Sequence, residues 1–298
     1  MSDDSNEARV DKRQVRTSFG LAAADYDRVA VLQREVGARL LERLELIKVA
    51  PRNVLDLGSG TGYIARALVE RYRQARVVAF DIAAPMLIEA RRRSAWWRRR
   101  PQLVCGDIEC LPFADGSVDM ILSNLTLQWC NDLDATFVEF RRVLRPGGVL
   151  LFTSFGPDTL LELRASWAAA DDFSHVNRFL DMHDVGDALV RAGLAEPVLD
   201  VERFILTYPD VDGLVRDLKT LGAHNVTAGR PRGLTGRGRW QRVRERYEAF
   251  RAEGVLPATY EVVYGHAWVG EPRVPRDTGN PGTVKVPLSK LSGRSPKS

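Results

Sequence analysis

A short apolar run followed by alternate glycines is the feature that most constrains the fold of this chain. Residues 53–57, NVLDL, are typical of a buried parallel strand, and they lead directly into GSGTG at 58–62. Glycines at alternate positions let the backbone turn sharply and approach a ligand without a side chain in the way. A helical pattern at 63–72 follows, and the free N–H groups of its first turn point back at the loop. The stretch therefore predicts a nucleotide-type pocket at the carboxyl end of a strand.

The spacing of the glycines distinguishes two kinds of nucleotide. The dinucleotide fingerprint is Gly-x-Gly-x-x-Gly, whereas the third glycine here comes one residue early, at Gly62, and Tyr63 stands in its place. Asp56, two residues before Gly58, would repel a pyrophosphate but suits a cationic ligand. Asp-x-Gly-x-Gly-x-Gly resembles motif I of the class I methyltransferases, whose S-adenosylmethionine carries an ammonium and a sulfonium group and no phosphate. The pattern therefore favours S-adenosylmethionine over NAD.

Strands and helices alternate along the segment that follows. Further strands are predicted at 76–80, 102–105, 120–123 and 149–155, and a helix is predicted at 157–170 after the last of these. Such alternation is typical of a right-handed, doubly wound parallel sheet. Two later runs of alternating hydrophobicity, 203–208 and 260–269, suit an antiparallel edge. We therefore expect an α/β fold with a Rossmann-like seven-stranded sheet whose last strand is antiparallel, and with helices over the active site.

Composition separates this core from flanking segments. Residues 1–10 are polar, and 271–298 are rich in Pro, Gly, Ser and Lys, so we expect both to be disordered. Residues 11–50 have helical hydrophobic spacing and predict an N-terminal helical lid. The methyltransferase domain should occupy 51–270, with a helical insertion at about 210–258.

The overall composition excludes several classes of protein. A chain of 298 residues with 45% apolar and 28% charged residues fits a soluble globular protein. It has no apolar run of about 18 residues that would predict a membrane span. Its first residues, MSDDSNEARVDKRQ, are polar with mixed charge, unlike a secretory signal. Cys105, Cys110 and Cys130 lack zinc-ligand spacing. We therefore expect no metal site and a location in the reducing cytoplasm.

Polar residues follow three further strands, where a nucleoside could be held. Asp81 ends the strand at 76–80, and a carboxylate there can accept both hydroxyls of a ribose. Asp107 follows the next strand; the matching acid in S-adenosylmethionine sites accepts the adenine amino proton, while its neighbour packs against the ring. Asn124 ends the fourth strand, at the switch point of the sheet. The predicted cofactor contacts are Asp56, Gly58, Ser59, Gly60, Gly62, Asp81, Ile82, Asp107, Ile108 and Asn124.

The segments around this core carry a more specific resemblance. They are VRTSFGLAAADYDRVAVLQREVGARLLERL at 15–44, FGPDTLLELRASW at 155–167, HVNRFLDMHDVGDALVRAGLAEPVLDVE at 175–202 and LTYPDVDGLVRDLKTLGAHN at 206–225. Together they resemble the malonyl-acyl-carrier-protein O-methyltransferases of biotin synthesis, over about residues 11–270. The resemblance implies methyl transfer to the free carboxyl of a malonyl group on the carrier's phosphopantetheine arm. The ester hides a charge, so that fatty-acid enzymes can elongate the chain towards pimelate.

Such an acceptor needs no general base. A malonyl carboxylate, with an ordinary pKa of about 4, is ionised at neutral pH, so catalysis reduces to alignment and exclusion of water. Arg164 is our first candidate to orient the carboxylate through its planar guanidinium, although an exposed helical arginine is the alternative. Tyr26 is predicted to close over the methionine portion or to position the acceptor oxygen; a half-buried tyrosine at a helix end is the alternative. His175, and less so His183, could line the acceptor pocket, but a lone histidine is more often structural.

The resemblance also implies a protein partner. An acyl carrier protein is acidic, so a basic docking surface is expected near the mouth of the pocket. The inserted segment provides the candidates, which are Lys219, Arg230, Arg232, Arg237 and Arg239. We expect neither a nucleic-acid partner nor a membrane partner.

Several alternative functions share the predicted fold. Gly-x-Asp-Thr-Leu-x-Glu-Leu-Arg, found here at 156–164, also occurs in relatives that hydroxylate an arginine of a respiratory-complex subunit. A non-catalytic S-adenosylmethionine-binding assembly factor, or another small-molecule or RNA methyltransferase, would keep the same core. Residues 181–184 and 223–225 favour the biotin family. The SNLT sequence at 123–126 replaces Asn/Asp-Pro-Pro-Tyr/Phe and argues against amino-directed N-methylation.

Overall fold

The structure, a computed structural model, describes residues 9–94, 99–171, 173, 175–177, 179–223 and 236–270. The predicted disordered tail at 271–298 and residues 1–8 of the predicted disordered N-terminus lie outside the described residues. The first described helices are α1 (Lys12–Ala22), α2 (Tyr26–Val29) and α3 (Val31–Arg43). They lie in the segment where the sequence predicts a helical lid.

A single sheet forms the centre of the fold. Its strands are β1 (Asn53–Leu57), β2 (Arg76–Asp81), β3 (Gln102–Cys105), β4 (Val118–Ser123), β5 (Leu144–Phe155), β6 (Ala195–Tyr208) and β7 (Leu256–Trp268). The seven strands are ordered β3-β2-β1-β4-β5-β7-β6, and β7 pairs antiparallel with both of its neighbours. The other paired strands are parallel. The predicted α/β Rossmann-like sheet with an antiparallel last strand is confirmed.

Helices connect these strands and cover the sheet. They are α4 (Tyr63–Arg71), α5 (Ala84–Arg93), α6 (Leu133–Val143), α7 (Leu161–Ala168), α8 (Met182–Arg191), α9 (Val211–Thr220) and α10 (Arg237–Glu248). Four helices begin at an aspartate whose side chain accepts backbone N–H groups: Asp11, Asp132, Asp181 and Asp210. These caps satisfy donors that the first helical turn leaves free. Within the described ranges, none of the helices combines the length and hydrophobicity needed to cross a bilayer.

The core lies on both faces of the sheet, as the continuous apolar strands predict. On one face, Val54 of β1 belongs to a buried cluster with residues of α3 and α4, among them Val36. On the other face, Leu55 belongs to a cluster with α6 and α8, including Phe140 and Leu189. Because successive β1 side chains point to opposite faces, this strand is buried from both sides and its carboxyl end is held rigidly.

Some element boundaries differ from those predicted. The helix predicted from residue 157 begins instead at Leu161, because Leu160 adopts a left-handed backbone conformation (φ 56°) that a helix cannot include. β5 begins at Leu144, which pairs with Val118 before a register shift, so residues 144–148 extend the strand predicted from 149. β6 begins at Ala195 rather than 203, since its half-buried edge pairs with β7 over most of its length.

A close contact between β5 and β7 yields a test of this packing. Gly265 of β7 lies opposite Phe152 of β5, whose buried ring occupies the space that a Cβ atom would need. Gly265→Ala should therefore destabilise the protein by about 1–3 kcal/mol, the usual cost of an overpacked core. The measurement is the free energy of unfolding in urea.

The matched control is Gly238→Ala in α10, where a Cβ atom would meet nothing within 4 Å. This substitution should leave stability unchanged or raise it by up to about 1 kcal/mol, because alanine favours the helix. Equal stability of the Gly265→Ala variant and the unsubstituted protein would contradict the described contact between β5 and β7.

Candidate active site

The glycine loop lies at the carboxyl edge of the sheet, between β1 and α4. The N–H groups of Gly58 and Ser59 both donate to the carbonyl of Phe80 at the end of β2, at 2.8 and 3.0 Å. Gly58 has a left-handed conformation (φ 73°), and a Cβ atom there would clash with the side chain of Thr126. The loop therefore needs glycine at this position both for its turn and for its approach to the segment that follows β4.

Asp81 holds the same loop from the end of β2. Its Oδ2 atom accepts the N–H of Gly60 and its Oδ1 atom accepts the N–H of Ala83, both at 2.8 Å. Burial raises the pKa of Asp81 to about 6, and the two backbone donors oppose that rise. The carboxyl group lines the large pocket above the loop, in the position predicted for a ribose contact.

Asp56 lies beneath the loop rather than in the pocket wall. It is 1% exposed, and its Oδ2 atom has no hydrogen-bond partner among the described residues. Burial raises the pKa of Asp56 to about 7, and the charge of the nearby Asp81 acts in the same direction. A hydrogen bond from the backbone of Ala65 in α4 and the charge of Arg66 both lower this pKa. Asp56 thus places an incompletely satisfied carboxyl group under the loop, where it favours positive charge above.

The large pocket has an empty volume of about 820 Å³, part of it open to solvent. It is lined by seven of the ten predicted cofactor contacts, namely Gly58, Gly60, Asp81, Ile82, Asp107, Ile108 and Asn124. Asp56, Ser59 and Gly62 do not belong to its lining. The structure therefore gathers the predicted residues of four strand ends around one pocket, with the other three predicted positions supporting the loop.

A residue that sequence reasoning missed, Lys12, also lines this pocket. Its Nζ atom contacts Asp107 Oδ1 at 2.9 Å and also pairs with Glu109. These two carboxylates raise the pKa of Lys12 although its burial opposes them. The ion pairs tie the start of α1 to the segment after β3. A single lysine at the start of an amphipathic helix carries no sequence signal for such a contact.

The N-terminal helices cover the pocket with aromatic side chains. Phe19 of α1 packs edge-on against Trp129, with 5.3 Å between ring centroids, and against Tyr26 at 6.4 Å. Tyr26 lines the pocket, where burial first and then the charges of Asp81 and Asp27 raise its pKa well above the ordinary value. Its hydroxyl therefore stays protonated at physiological pH. The ring of Tyr26 lies beside the glycine loop, with its Cε1 atom 3.9 Å from the place where a Cβ atom of residue 60 would stand.

Asn124 connects three elements at the switch point. Its Oδ1 atom accepts the hydroxyl of Thr153 in β5 at 2.8 Å, and its Nδ2 atom donates to the carbonyl of Gln33 in α3 at 3.0 Å. The next residue, Leu125, has a left-handed conformation (φ 50°) and donates its N–H to Thr153. The side chain of Asn124 thus uses its polar atoms to join α3 to the sheet.

A second pocket adjoins the first. The two share six lining residues, which are Gln33, Gln128, Trp129, Phe155, Leu221 and Ala223. The rest of the second lining is mainly apolar and aromatic; Phe155 contacts Phe179 and Tyr260 with ring centroids 5.4 and 5.8 Å apart. Among the described residues that line it, Asp217 is the only charged side chain. The second pocket therefore suits a neutral, extended ligand portion.

Arg164 lies outside the described lining of both pockets. Its Nη1 and Nη2 atoms donate to the carbonyls of Pro157 and Thr159, each at 2.8 Å. The guanidinium thus braces the turn that precedes α7. Thr159 and Leu160 of that turn do line the second pocket, so Arg164 reaches the pocket through the backbone that it holds.

The two histidine candidates also lie away from the pocket lining. His175 stacks on Trp167, with ring centroids 3.6 Å apart, and its Nε2 atom contacts Asp171 at 2.8 Å. His183 is exposed at the start of α8 and contacts Asp181. Both contacts are those of structural histidines. Within the described ranges, no group of three or more His, Cys, Asp or Glu residues is placed to hold a metal ion.

Comparisons with known structures support the fold. YcgJ protein from Bacillus subtilis has a TM-score of 0.55 at 15% identity, covering 78% of this chain and 99% of that one. A SAM-dependent methyltransferase from Thermotoga maritima has a TM-score of 0.50 at 17% identity, covering 85% of this chain and 99% of that one. At these identities the likeness shows a shared fold.

Proteins known by sequence include relatives that are much more similar to this chain. A model of the methyltransferase-domain family matches residues 55–152. A protein of Gallionella capsiferriformans is 56% identical over 277 residues, covering 91% of this chain and 96% of that protein. A protein of Laribacter hongkongensis is 56% identical over 279 residues, covering 91% and 94%. Both relatives are named malonyl-acyl-carrier-protein O-methyltransferase, which confirms the resemblance found in the flanking segments. This chain belongs to the malonyl-acyl-carrier-protein O-methyltransferase family.

Proposed function

We propose that this protein transfers the methyl group of S-adenosylmethionine to the free carboxylate of malonyl-acyl carrier protein. The product is the methyl ester that primes pimeloyl synthesis for biotin. One observation carries the proposal: the pocket at the glycine loop, which contains the acidic residues Asp81 and Asp107, adjoins a mainly apolar second pocket, with six lining residues in common. Two ligands can therefore meet at that boundary, and the names of the relatives support this choice of acceptor.

The residues of the first pocket fit S-adenosylmethionine. Asp81 can accept ribose hydroxyls, Asp107 can accept the adenine amino group, and the adjacent Ile82 and Ile108 can pack against the ring. Asp56 has an unpartnered carboxyl oxygen beneath the loop, and a cationic ligand above it would favour the ionised form that burial opposes. When bound, the sulfonium group supplies an activated methyl carbon. The other proposed loop contacts, at Ser59 and Gly62, act by shaping the turn.

The protein's own part is to align the acceptor and to exclude water. Trp129 and Phe155 line the boundary between the pockets and make it apolar. A carboxylate brought there loses water, which increases its reactivity towards the methyl carbon. Tyr26 keeps its proton and can donate a hydrogen bond, so we assign it a positioning role rather than that of a base.

Arg164 and His175 enter the proposal as positioning residues. Arg164 holds the carbonyl of Thr159, a residue that lines the second pocket. His175 packs on Trp167 of α7, the helix that follows the same turn. Arg164 therefore acts on the acceptor pocket through the turn that lines it, and His175 acts through the helix that follows that turn.

The carrier protein is proposed to dock on the basic surface beside the second pocket. Lys219 is exposed on α9, between Leu218 and Leu221, which both line that pocket. Arg237 and Arg239 lie on α10. Arg230 and Arg232, which belong to the same predicted surface, lie outside the described residues. An acidic carrier would be attracted to these charges. The free thiols of Cys105, Cys110 and Cys130 suit the proposed cytoplasmic location.

Transfer of a labelled methyl group tests the function directly. The purified protein is incubated with methyl-labelled S-adenosylmethionine and malonyl-acyl carrier protein, and label on the carrier is measured before and after mild base. We expect label that base releases, since a methyl ester is base-labile. Acetyl-acyl carrier protein, which has no free carboxyl group, is the control substrate. Label on another acceptor, with none on the malonyl carrier, would refute the proposed function.

The raised pKa of Asp81 predicts how cofactor affinity depends on pH. The ionised carboxylate is the form that accepts two hydroxyls, so affinity for S-adenosylhomocysteine should fall as pH drops through about 6. With that pKa, the ionised fraction falls about tenfold between pH 7 and pH 5. Asp81→Asn should weaken binding at pH 7 and flatten this dependence, as measured by calorimetry.

Asp119→Asn provides the matched control for Asp81. Asp119 is also buried and accepts two backbone N–H groups, from Arg52 and Asn53, but it lies at the amino edge of the sheet. Its substitution should lower stability and leave the pH profile of binding unchanged. Persistence of the full pH dependence in Asp81→Asn would assign it to another group, such as Asp56.

Charge reversal tests the docking surface. The double substitution Lys219→Glu with Arg237→Glu should raise the KM for malonyl-acyl carrier protein about tenfold at low salt, with a smaller effect at high salt. Arg73→Glu with Arg76→Glu makes the same charge change at exposed positions next to the amino end of β2. That control should keep the original KM. Equal KM values for the two double variants would refute docking at this surface.

A further inference from the structure

Two carboxamide side chains mark the place where the pockets meet. Gln33 of α3 and Gln128, in the short turn at Leu127–Trp129, each line both pockets. The Oε1 atoms of both side chains are buried and have no hydrogen-bond partner among the described residues. Buried polar groups are nearly always paired in folded proteins. These two amides therefore indicate ligand groups that complete their hydrogen bonds.

The two amides are held differently. The Nε2 atom of Gln128 donates to the carbonyl of Leu125 at 2.7 Å, so its oxygen is the atom left to face a ligand. Gln33 has no such side-chain anchor within the described part of the chain, and a half-turn of its last torsion exchanges oxygen and nitrogen. Its backbone, by contrast, is fixed, because its carbonyl accepts the Nδ2 group of Asn124 at 3.0 Å. Gln33 can therefore offer a donor at a defined place.

The local burial pattern makes Gln33 an unusual residue in its helix. Its neighbours Leu32 and Val36 are 4% and 0% exposed and belong to the core cluster on this face of the sheet. A carboxamide beside them is brought to the pocket boundary instead of to solvent. Polar side chains in such apolar surroundings are retained where a specific hydrogen bond is made.

An ionised carboxyl group can only accept hydrogen bonds, so it needs a donor at the boundary. The described lining of the second pocket contains no Arg, Lys or His side chain. A neutral amide donor orients one carboxylate oxygen and leaves more negative charge on the other than a guanidinium would. This suits a reaction in which that second oxygen attacks.

We propose that Gln33 donates a hydrogen bond to the carboxylate of the acceptor and positions it for methyl transfer, while the fixed oxygen of Gln128 faces the cationic cofactor. This rests on the proposed function, because it takes the acceptor to be a carboxylate. It replaces the arginine clamp predicted from sequence with a neutral donor at the junction of the two pockets. The full chain is used for the test, with malonyl-acyl carrier protein and S-adenosylhomocysteine as probes.

The isosteric substitution Gln33→Glu keeps the shape, removes the donor and adds a negative charge beside the acceptor. We expect kcat/KM for malonyl-acyl carrier protein to fall by about a hundredfold or more, with Gln33→Ala losing about tenfold, as for a lost hydrogen bond to a charged group. Affinity for S-adenosylhomocysteine, measured by calorimetry, should change little in either variant. Thermal unfolding of each variant shows whether the helix remains folded.

Gln128→Glu is the matched comparison, because it adds the same charge at the same boundary and keeps an acceptor oxygen, while it removes the hydrogen bond to the carbonyl of Leu125. It should preserve or increase affinity for S-adenosylmethionine relative to Gln128→Ala.

Gln33→Glu with unchanged kcat/KM in a folded protein would overturn the inference, as would a loss that appears only in cofactor affinity. If the unsubstituted protein esterifies the malonyl carrier, such a result refutes Gln33 alone; if it forms no methyl ester, the proposed function fails together with this inference.

Discussion

The hydrogen bonds between the glycine loop and the end of β2 are the constraint on which the rest of the site depends. The carbonyl of Phe80 accepts two loop N–H groups, and the carboxyl group of Asp81 accepts a third, from Gly60. These bonds join the exits of two neighbouring parallel strands. The same loop is pressed against Thr126, after β4, where only glycine fits at position 58. Three strand ends are thereby fixed relative to one another, and the pocket above them takes its shape from the sheet.

The raised pKa values of the acidic residues follow from that arrangement. Asp56 and Asp81 are both buried, and burial raises the pKa of each, to about 7 and about 6. Two carboxyl groups whose pKa values lie near neutral pH are costly in a core, because the ionised form of each loses its hydrating water there. In the proposed function, the positive charge of the bound cofactor would offset this cost. The preference for a positively charged ligand would therefore come from carboxyl groups at the ends of two central strands.

The sequence predicted what depends on local pattern. Alternating strands and helices, the glycine spacing and the acidic strand ends gave the sheet and most of the first pocket. It could not predict residues brought in by packing over long separations. Lys12 reaches Asp107 from the start of α1, and Gln33 reaches the boundary because α3 packs on β5 and its backbone accepts a hydrogen bond from Asn124. For Arg164 the predicted helix was found, but its side chain turns to backbone carbonyls that no sequence pattern indicates.

Asn124 has a further mechanical consequence. Its carboxamide joins the carbonyl of Gln33 in α3 to the hydroxyl of Thr153 in β5, while its own backbone continues from β4. These hydrogen bonds join Asn124, which lines the first pocket, to the backbone of Gln33, which lines both pockets. In the proposed reaction, the distance between the methyl donor and the acceptor carboxylate is therefore set by side chains that the sheet holds in place.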